Sequence, residues 1–338
     1  ATPPSAGPWD LPAIAYAPPK GTAVAAPLEE WTWVPLEGAK CANGTPTGVA
    51  IQRTERSKRI LLYLQGGGAC WEAAACAAGT ATHITDTMGE QAVLAEAKAA
   101  PMQTLFNRDA ADNPFADATF VYVPYCTGDL HAGTAATVYD WFGPKTVHHV
   151  GARNLDALLG RLAATFPQAD RVWLTGISAG GYGATLNWWR VQKAMPWARV
   201  DVINDSGLML DPLGDGRWPL MRQRWSMELP PGCPDCQQHL SAALSYQLQL
   251  LAAPRRYGQL SWLQDKTISL YFGLAGADEQ KGLLAQRAAL PPHARMFLLA
   301  GNEHVVMATP QVKAGGVTAL QWLGQMTTDD PAWSSAGP

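Results

Sequence analysis

Val172-Trp173-Leu174-Thr175-Gly176-Ile177-Ser178-Ala179-Gly180-Gly181-Tyr182-Gly183 is the stretch whose reading decides the fold. An apolar run climbs to a glycine, a serine sits at the turn, and small residues lead into a helical pattern. The spacing is G-x-S-x-G, the strand–turn–helix elbow that holds a serine in strained backbone geometry, with flanking glycines leaving room for close packing. Five residues match such a pattern by chance, so the reading depends on its surroundings. Strands, an acid and a histidine must fall where the elbow needs them.

Working outward, buried-strand runs lie on both sides of the elbow. Residues 59–65 form one, ending in Gly66-Gly67-Gly68, and residues 119–126 form a second. The elbow strand spans 171–177, and further strands are expected at 200–204, 267–273 and 294–299. Residues 31–37 and 46–54 read as an early hairpin around Asn43-Gly44. Helices are expected over the alanine-rich 71–112 (with breaks), over 154–166, where Leu155, Leu158, Leu159 and Leu162 share one face, over 181–195, ending before Pro196, and over 308–326. Residues 211–262 interrupt the alternation with Pro212, Pro219, Pro230, Pro231 and Pro234, then a helical pattern through Leu240, Leu244, Leu248 and Leu251. They read as a cap inserted over the edge that carries the elbow. Strands alternating with helices predict an α/β fold, a three-layer sandwich around a mostly parallel sheet, with ligands beyond the carboxyl ends of the strands. A Pro-rich N-terminal segment (1–30) would precede one catalytic domain (31–330).

Composition narrows the function classes. The chain has 338 residues, 47% apolar and 16% charged, with a formal net charge of −3. That is ample for a buried core and gives no electrostatic footprint for nucleic acid. No apolar run approaches the roughly 18 residues of a membrane span. An even count of six cysteines fits disulfides in an oxidising compartment, and a start at Ala1 without methionine reads as a mature chain after signal-peptide removal, secreted or periplasmic. Cys233-Pro-Asp-Cys236 has no second such pair and no spaced histidines to complete a zinc site, so it reads as a structural disulfide. A monomer needing no metal or cofactor is expected.

The strand ends supply the elbow's partners. Leu274-Ala275-Gly276-Ala277-Asp278-Glu279 follows the expected 267–273 strand, and Ala300-Gly301-Asn302-Glu303-His304 follows the last one. The order Ser178, Asp278, His304 is that of α/β-hydrolases. A serine hydroxyl is a poor nucleophile until an imidazole accepts its proton, and a carboxylate fixes the imidazole tautomer and stabilises the imidazolium. Glu279 is the nearest rival acid; Asp201, Asp205 and Asp265 lie on the wrong strand or before it. The other histidines lie outside the final strand-to-helix loop. Backbone N–H groups of Gly67 and Gly68, with that of Ala179, are the expected oxyanion hole. A dinucleotide-binding reading fails because Ser178 stands where G-x-G-x-x-G needs its second glycine.

With these residues in hand, the chain resembles the pectin acetylesterase family, which includes the Notum-type carboxylesterases. The resemblance runs from Cys41-Ala-Asn-Gly-Thr-Pro46 through Leu64-Gln-Gly-Gly-Gly-Ala-Cys70, Tyr125-Cys-Thr-Gly-Asp129 and Gly176-Ile-Ser-Ala-Gly-Gly181. It continues through Asn204-Asp-Ser-Gly-Leu-Met-Leu-Asp211, Ala277-Asp-Glu-Gln280 and Glu303-His304. It implies metal-free serine ester hydrolysis, with an acetylated polysaccharide such as pectin as first-choice substrate and longer acyl esters or polyesters as the alternative. An inactive carbohydrate- or lipid-binding relative is the non-enzyme alternative. Disulfides Cys41–Cys126 and Cys70–Cys76 are implied, as are substrate contacts at Ala69, Trp71, Asp129, Tyr182 and Asp205. This chain departs from the family pattern at Ala69, where a tryptophan is usual, and at Ile177, where cysteine or serine is usual. The change at Ala69 would alter the acyl pocket.

Overall fold

The computed structural model describes residues 7–99, 103–212, 214 and 216–338; the first six residues of the N-terminal segment and residues 100–102 of the alanine-rich region lie outside them. The chain opens with β1 (Trp31–Lys40), β2 (Pro46–Gln52) and β3 (Arg59–Leu64), then the short helices α1 (Ala73–Ala77), α2 (Glu90–Ala97) and α3 (Gln103–Phe106). Next come β4 (Thr119–Val123), a side hairpin of β5 (Ala135–Asp140) and β6 (Pro144–His149), α4 (Gly151–Thr165), β7 (Arg171–Ile177), α5 (Ala179–Ala194) and β8 (Arg199–Asp205). After α6 (Arg217–Trp225) and α7 (Leu240–Leu250) the chain returns through β9 (Tyr257–Trp262), α8 (Lys266–Phe272), α9 (Gly276–Ala288), β10 (Ala294–Leu299) and α10 (Ala319–Thr327).

Eight strands make one sheet in the order β1-β2-β4-β3-β7-β8-β9-β10. The first three pair antiparallel and the rest are parallel. The strand order reverses between β3 and β7, which makes their carboxyl ends the crevice where an α/β sheet receives a ligand. Alternation along each strand sorts side chains into two cores. Ile60, Leu62 and Leu64 of β3 pack with Val172 and Leu174 of β7 and the leucines of α4, whereas Leu61, Tyr63 and Trp173 pack on the opposite face with Leu323 and Met326 of α10. The result is a three-layer α/β-hydrolase-type fold.

One expected strand is a helix. Residues 267–273 are rich in β-branched and aromatic side chains, yet they form α8. Asp265 caps it, its Oδ1 accepting the Thr267 and Ile268 amides, and Gly273 ends it in the left-handed region at φ 65°. Helical spacing governs burial there: Ile268 and Phe272 are buried, four apart, while Leu270 is exposed. The seventh strand of the sheet is instead β9, within the stretch read as cap. Its Gln259 and Ser261 hid it, and both are fully buried because layers cover both faces. The insertion between β8 and β9 therefore holds α6 and α7 and ends before Tyr257. The final helix is shorter than expected, because a small hairpin over Lys313–Thr318 precedes α10.

The three disulfides are Cys41–Cys126, Cys70–Cys76 and Cys233–Cys236. The first joins residues 85 apart, for which the chain-entropy model gives about 4–5 kcal/mol of stabilisation. Among the described residues, no helix is long and apolar enough to cross a membrane.

Candidate active site

Ser178 stands between the last residue of β7 and the first of α5, with φ 53° and ψ −120°. An L-residue adopts that conformation only when its surroundings impose it, at about 1–3 kcal/mol of strain. Here the Ser178 amide donates to the Asp205 carbonyl at 2.8 Å, and the Ser178 carbonyl accepts from Tyr182 at 3.1 Å. Close packing completes the clamp: a Cβ on Gly180 would lie 1.9 Å from the Leu64 carbonyl oxygen, so only glycine lets α5 sit against the end of β3. The serine is only 9% exposed.

Across the crevice, Gly67 and Gly68 turn at φ +151° and +74°. Thr82 donates its amide to the Gly67 carbonyl at 2.8 Å, and a Cβ on Gly68 would meet Thr80 O at 2.1 Å and the Tyr271 hydroxyl at 2.3 Å. Ala179 is the first residue of α5, so its amide has no acceptor within the helix. Gly67, Gly68 and Ala179 are the residues whose amides the sequence reading names as oxyanion donors. A Cβ on Gly66 would fall 3.1 Å from Ser178 Cβ, so the glycine turn and the serine are immediate neighbours.

His304 donates from Nδ1 to Asp265 Oδ2 at 2.7 Å. This corrects the expected acid. Asp278 is exposed in the first turn of α9, and its carboxylate is not the histidine's partner. The order along the chain still holds, because Asp265 follows the true strand β9 as Asp278 would have followed the false one. Loop pairing brings acid and base together: the Leu263 amide bonds Leu299 O, Gln264 bonds Gly301 O, and Lys266 bonds Asn302 O. Asp265 is fully buried, and its Oδ1 is held by the α8 amides, which leaves Oδ2 aimed at the imidazole. The capping pattern Asp265-x-Thr267-Ile268 ahead of a helix was the signal that would have found it.

The histidine loop is strained too. Val305, a β-branched residue, sits at φ 65°. Its amide donates to Ser206 Oγ, and those of Val306 and Met307 donate to Asp205 Oδ1 and Oδ2 at 2.9 and 2.8 Å. Asp205 thus fastens the histidine loop with its carboxylate and the serine elbow with its carbonyl. Burial pushes its carboxyl up to about 6, against the pull of those amides.

A small apolar cavity opens beside Ser178, with about 300 Å³ of unfilled space including its mouth. Gly68, Ala69 and Ala179 form one side, Leu130 and Tyr182 another, and Met221 of α6 with Ile268, Tyr271 and Phe272 of α8 close it. Of the expected substrate contacts, Ala69 and Tyr182 line this cavity. The others do not. Asp129 is fully buried, its carboxylate accepting from Thr127 Oγ1 and the amides of His131, Gly133 and Gly151. Asp205 is occupied as described, and Trp71 is buried against Arg217. Family motifs mark these residues, but the carboxylates of Asp129 and Asp205 hold loops rather than line the cavity. Among the described residues, the grouping of side chains close enough for a metal ion is Cys70, Cys76 and His149, and both sulfurs are in a disulfide.

Fold and site together define an α/β-hydrolase-type protein with a serine elbow, a paired acid and histidine, and a glycine turn facing the serine. The sequence pattern of the Pectinacetylesterase family matches residues 30–222, more than half of the chain, and the chain belongs to that family. It is similar to palmitoleoyl-protein carboxylesterase NOTUM of Homo sapiens, 29% identical over 182 residues, 51% of this chain and 34% of the relative. It is also similar to palmitoleoyl-protein carboxylesterase notum1' of Xenopus laevis, 28% identical over 184 residues, 51% of this chain and 35% of the relative. A third relative, inactive palmitoleoyl-protein carboxylesterase notum1b of Danio rerio, is 29% identical over 122 residues, 34% of this chain and 76% of the relative. The chain spans about a third of the length of the first two.

Proposed function

We propose that the chain is a serine carboxylesterase. The Ser178 hydroxyl oxygen attacks an ester carbonyl while His304 accepts its proton; His304 then passes the proton to the leaving alcohol as the C–O bond breaks. Asp265 holds the imidazole tautomer and balances the imidazolium, and the amides of Gly67, Gly68 and Ala179 receive the oxyanion. Water, activated by His304, cleaves the acyl-enzyme by the same steps. The observation that carries the reading is the Asp265–His304 hydrogen bond, in a loop fastened to the strand end that also holds the Ser178 amide. Residues 31–330 are proposed as its single catalytic unit.

The enclosed part of the cavity is narrow, far smaller than the pocket a drug-sized ligand fills, and its walls are apolar. That supports a short acyl group, and family membership supports an acetyl ester on a polysaccharide such as pectin. The names of the NOTUM relatives favour a second reading, a longer acyl ester, which would need α6 and α8 to move apart. Three disulfides support secretion or export to a periplasm.

Ser178→Ala should lower kcat/KM on an aryl acetate by several orders of magnitude, since such groups act as a unit. Unchanged turnover would end the serine mechanism. Acetyl, butyryl and octanoyl aryl esters, followed by acetylated pectin and a polyester film, rank the substrates. Preference for octanoyl or the film would overturn the acetylesterase reading.

A further inference from the structure

Behind the acid–histidine pair lies a second buried carboxylate that the mechanism above does not use. Glu279, in the first turn of α9, is fully buried. Its Oε1 accepts the backbone amide of Asp265 at 2.6 Å, and its Oε2 accepts the Ser269 hydroxyl at 2.7 Å. Both bonds end on the segment that presents Asp265 to His304. We propose that Glu279 is a positioning residue: it holds the Asp265 backbone from behind and adds a second negative charge that supports the His304 imidazolium. The inference rests on the serine esterase reading.

A merely structural cap would not need a charge. Glutamine offers the same carbonyl acceptor to the Asp265 amide without the desolvation that a buried carboxylate suffers. That desolvation pushes Glu279 up to about 7, despite the hydrogen bonds from Ser269 and Asp265. The groups facing it from the packed elements are Asp265 after β9, His304 after β10, Ser269 on α8 and the Tyr182 phenol on α5. Among them the histidine is the cation partner. Asp265 opposes ionisation of Glu279 and His304 favours it.

Glu279→Gln tests this through the pH profile of kcat/KM on an aryl acetate between pH 5 and 9, with a thermal melt as the check on folding. The expected result is a plateau lowered on the order of 3–10-fold, the effect of one lost charge on the imidazolium, and an acid limb moved to lower pH. A wild-type plateau with an unmoved acid limb would reduce Glu279 to a structural cap. Glu279→Asp keeps the carboxylate and should recover part of the rate lost in Glu279→Gln; an equal loss in both variants would overturn the role of the charge. Ser178→Ala separates the two ideas. If it abolishes turnover while Glu279→Gln changes nothing, only the role of Glu279 falls; if it leaves turnover intact, the esterase reading falls first.

Discussion

Asp205 closes β8, and Asp265 stands three residues beyond the neighbouring β9. Both are buried to within 1% of complete. Asp205 gives both oxygens to loop amides, Val306 and Met307, with Ser206 Oγ on Oδ1 as well. Asp265 gives one oxygen to the amides of α8 and keeps the other for His304 Nδ1. The same side chain at corresponding strand ends therefore builds a loop in one place and serves an imidazole in the other. The placement of the backbone donors decides which: two amides on two oxygens tie a carboxylate down, whereas two on one oxygen leave a free acceptor.

Substituting each aspartate tests that contrast. Asp265→Asn should have the largest effect, a fall in kcat/KM of about 10³–10⁴-fold with a nearly unchanged melting temperature. Its amide oxygen still caps α8, but an NH₂ then faces Nδ1 and favours the wrong tautomer. A loss below tenfold would place the acid elsewhere.

Asp205→Asn should act through position and pH. With one acceptor oxygen for two amides, the histidine loop shifts, and kcat should drop on the order of 10–100-fold. The carboxyl is raised to about 6 in the folded protein, against about 3.9 unfolded. The native state therefore holds the extra proton between those values, and stability from this group falls as pH rises from about 4 through 6, then stays level. The decline is on the order of 2–3 kcal/mol. Urea midpoints across pH 4–8 should show it, and Asp205→Asn should flatten it; an unchanged slope would contradict the assignment. The smallest effect belongs to Asp278→Asn. That exposed side chain on the first turn of α9 should change turnover less than about twofold and stability by under about 0.5 kcal/mol. Were it to outweigh Asp265→Asn, the contrast would collapse.

The elbow, the glycine turn and the histidine were legible in the sequence because each depends on neighbours in the chain. Ser178 needs small residues beside it, Gly67 and Gly68 need positive φ, and His304 follows an apolar run. The acid was not legible. Thr267 to Phe272 has strand composition, and Tyr257 to Trp262 carries Gln259 and Ser261, so local pattern exchanged a helix for a strand and moved the acid by thirteen residues. The roles of Asp129, Asp205 and Glu279 were equally hidden, since each is defined by amides and hydroxyls distant in sequence.

By itself, then, the order of residues determined an alternating α/β architecture, a serine at a strained turn, and a histidine at the last strand end. Those follow from φ/ψ preference and burial period, which act over a few residues. Only the tertiary structure decided which carboxylate meets the imidazole, which aspartates hold loops, and how small a cavity α6 and α8 leave beside Ser178. Hydrogen bonds and packing between segments far apart in the chain set those outcomes, and no local pattern records them.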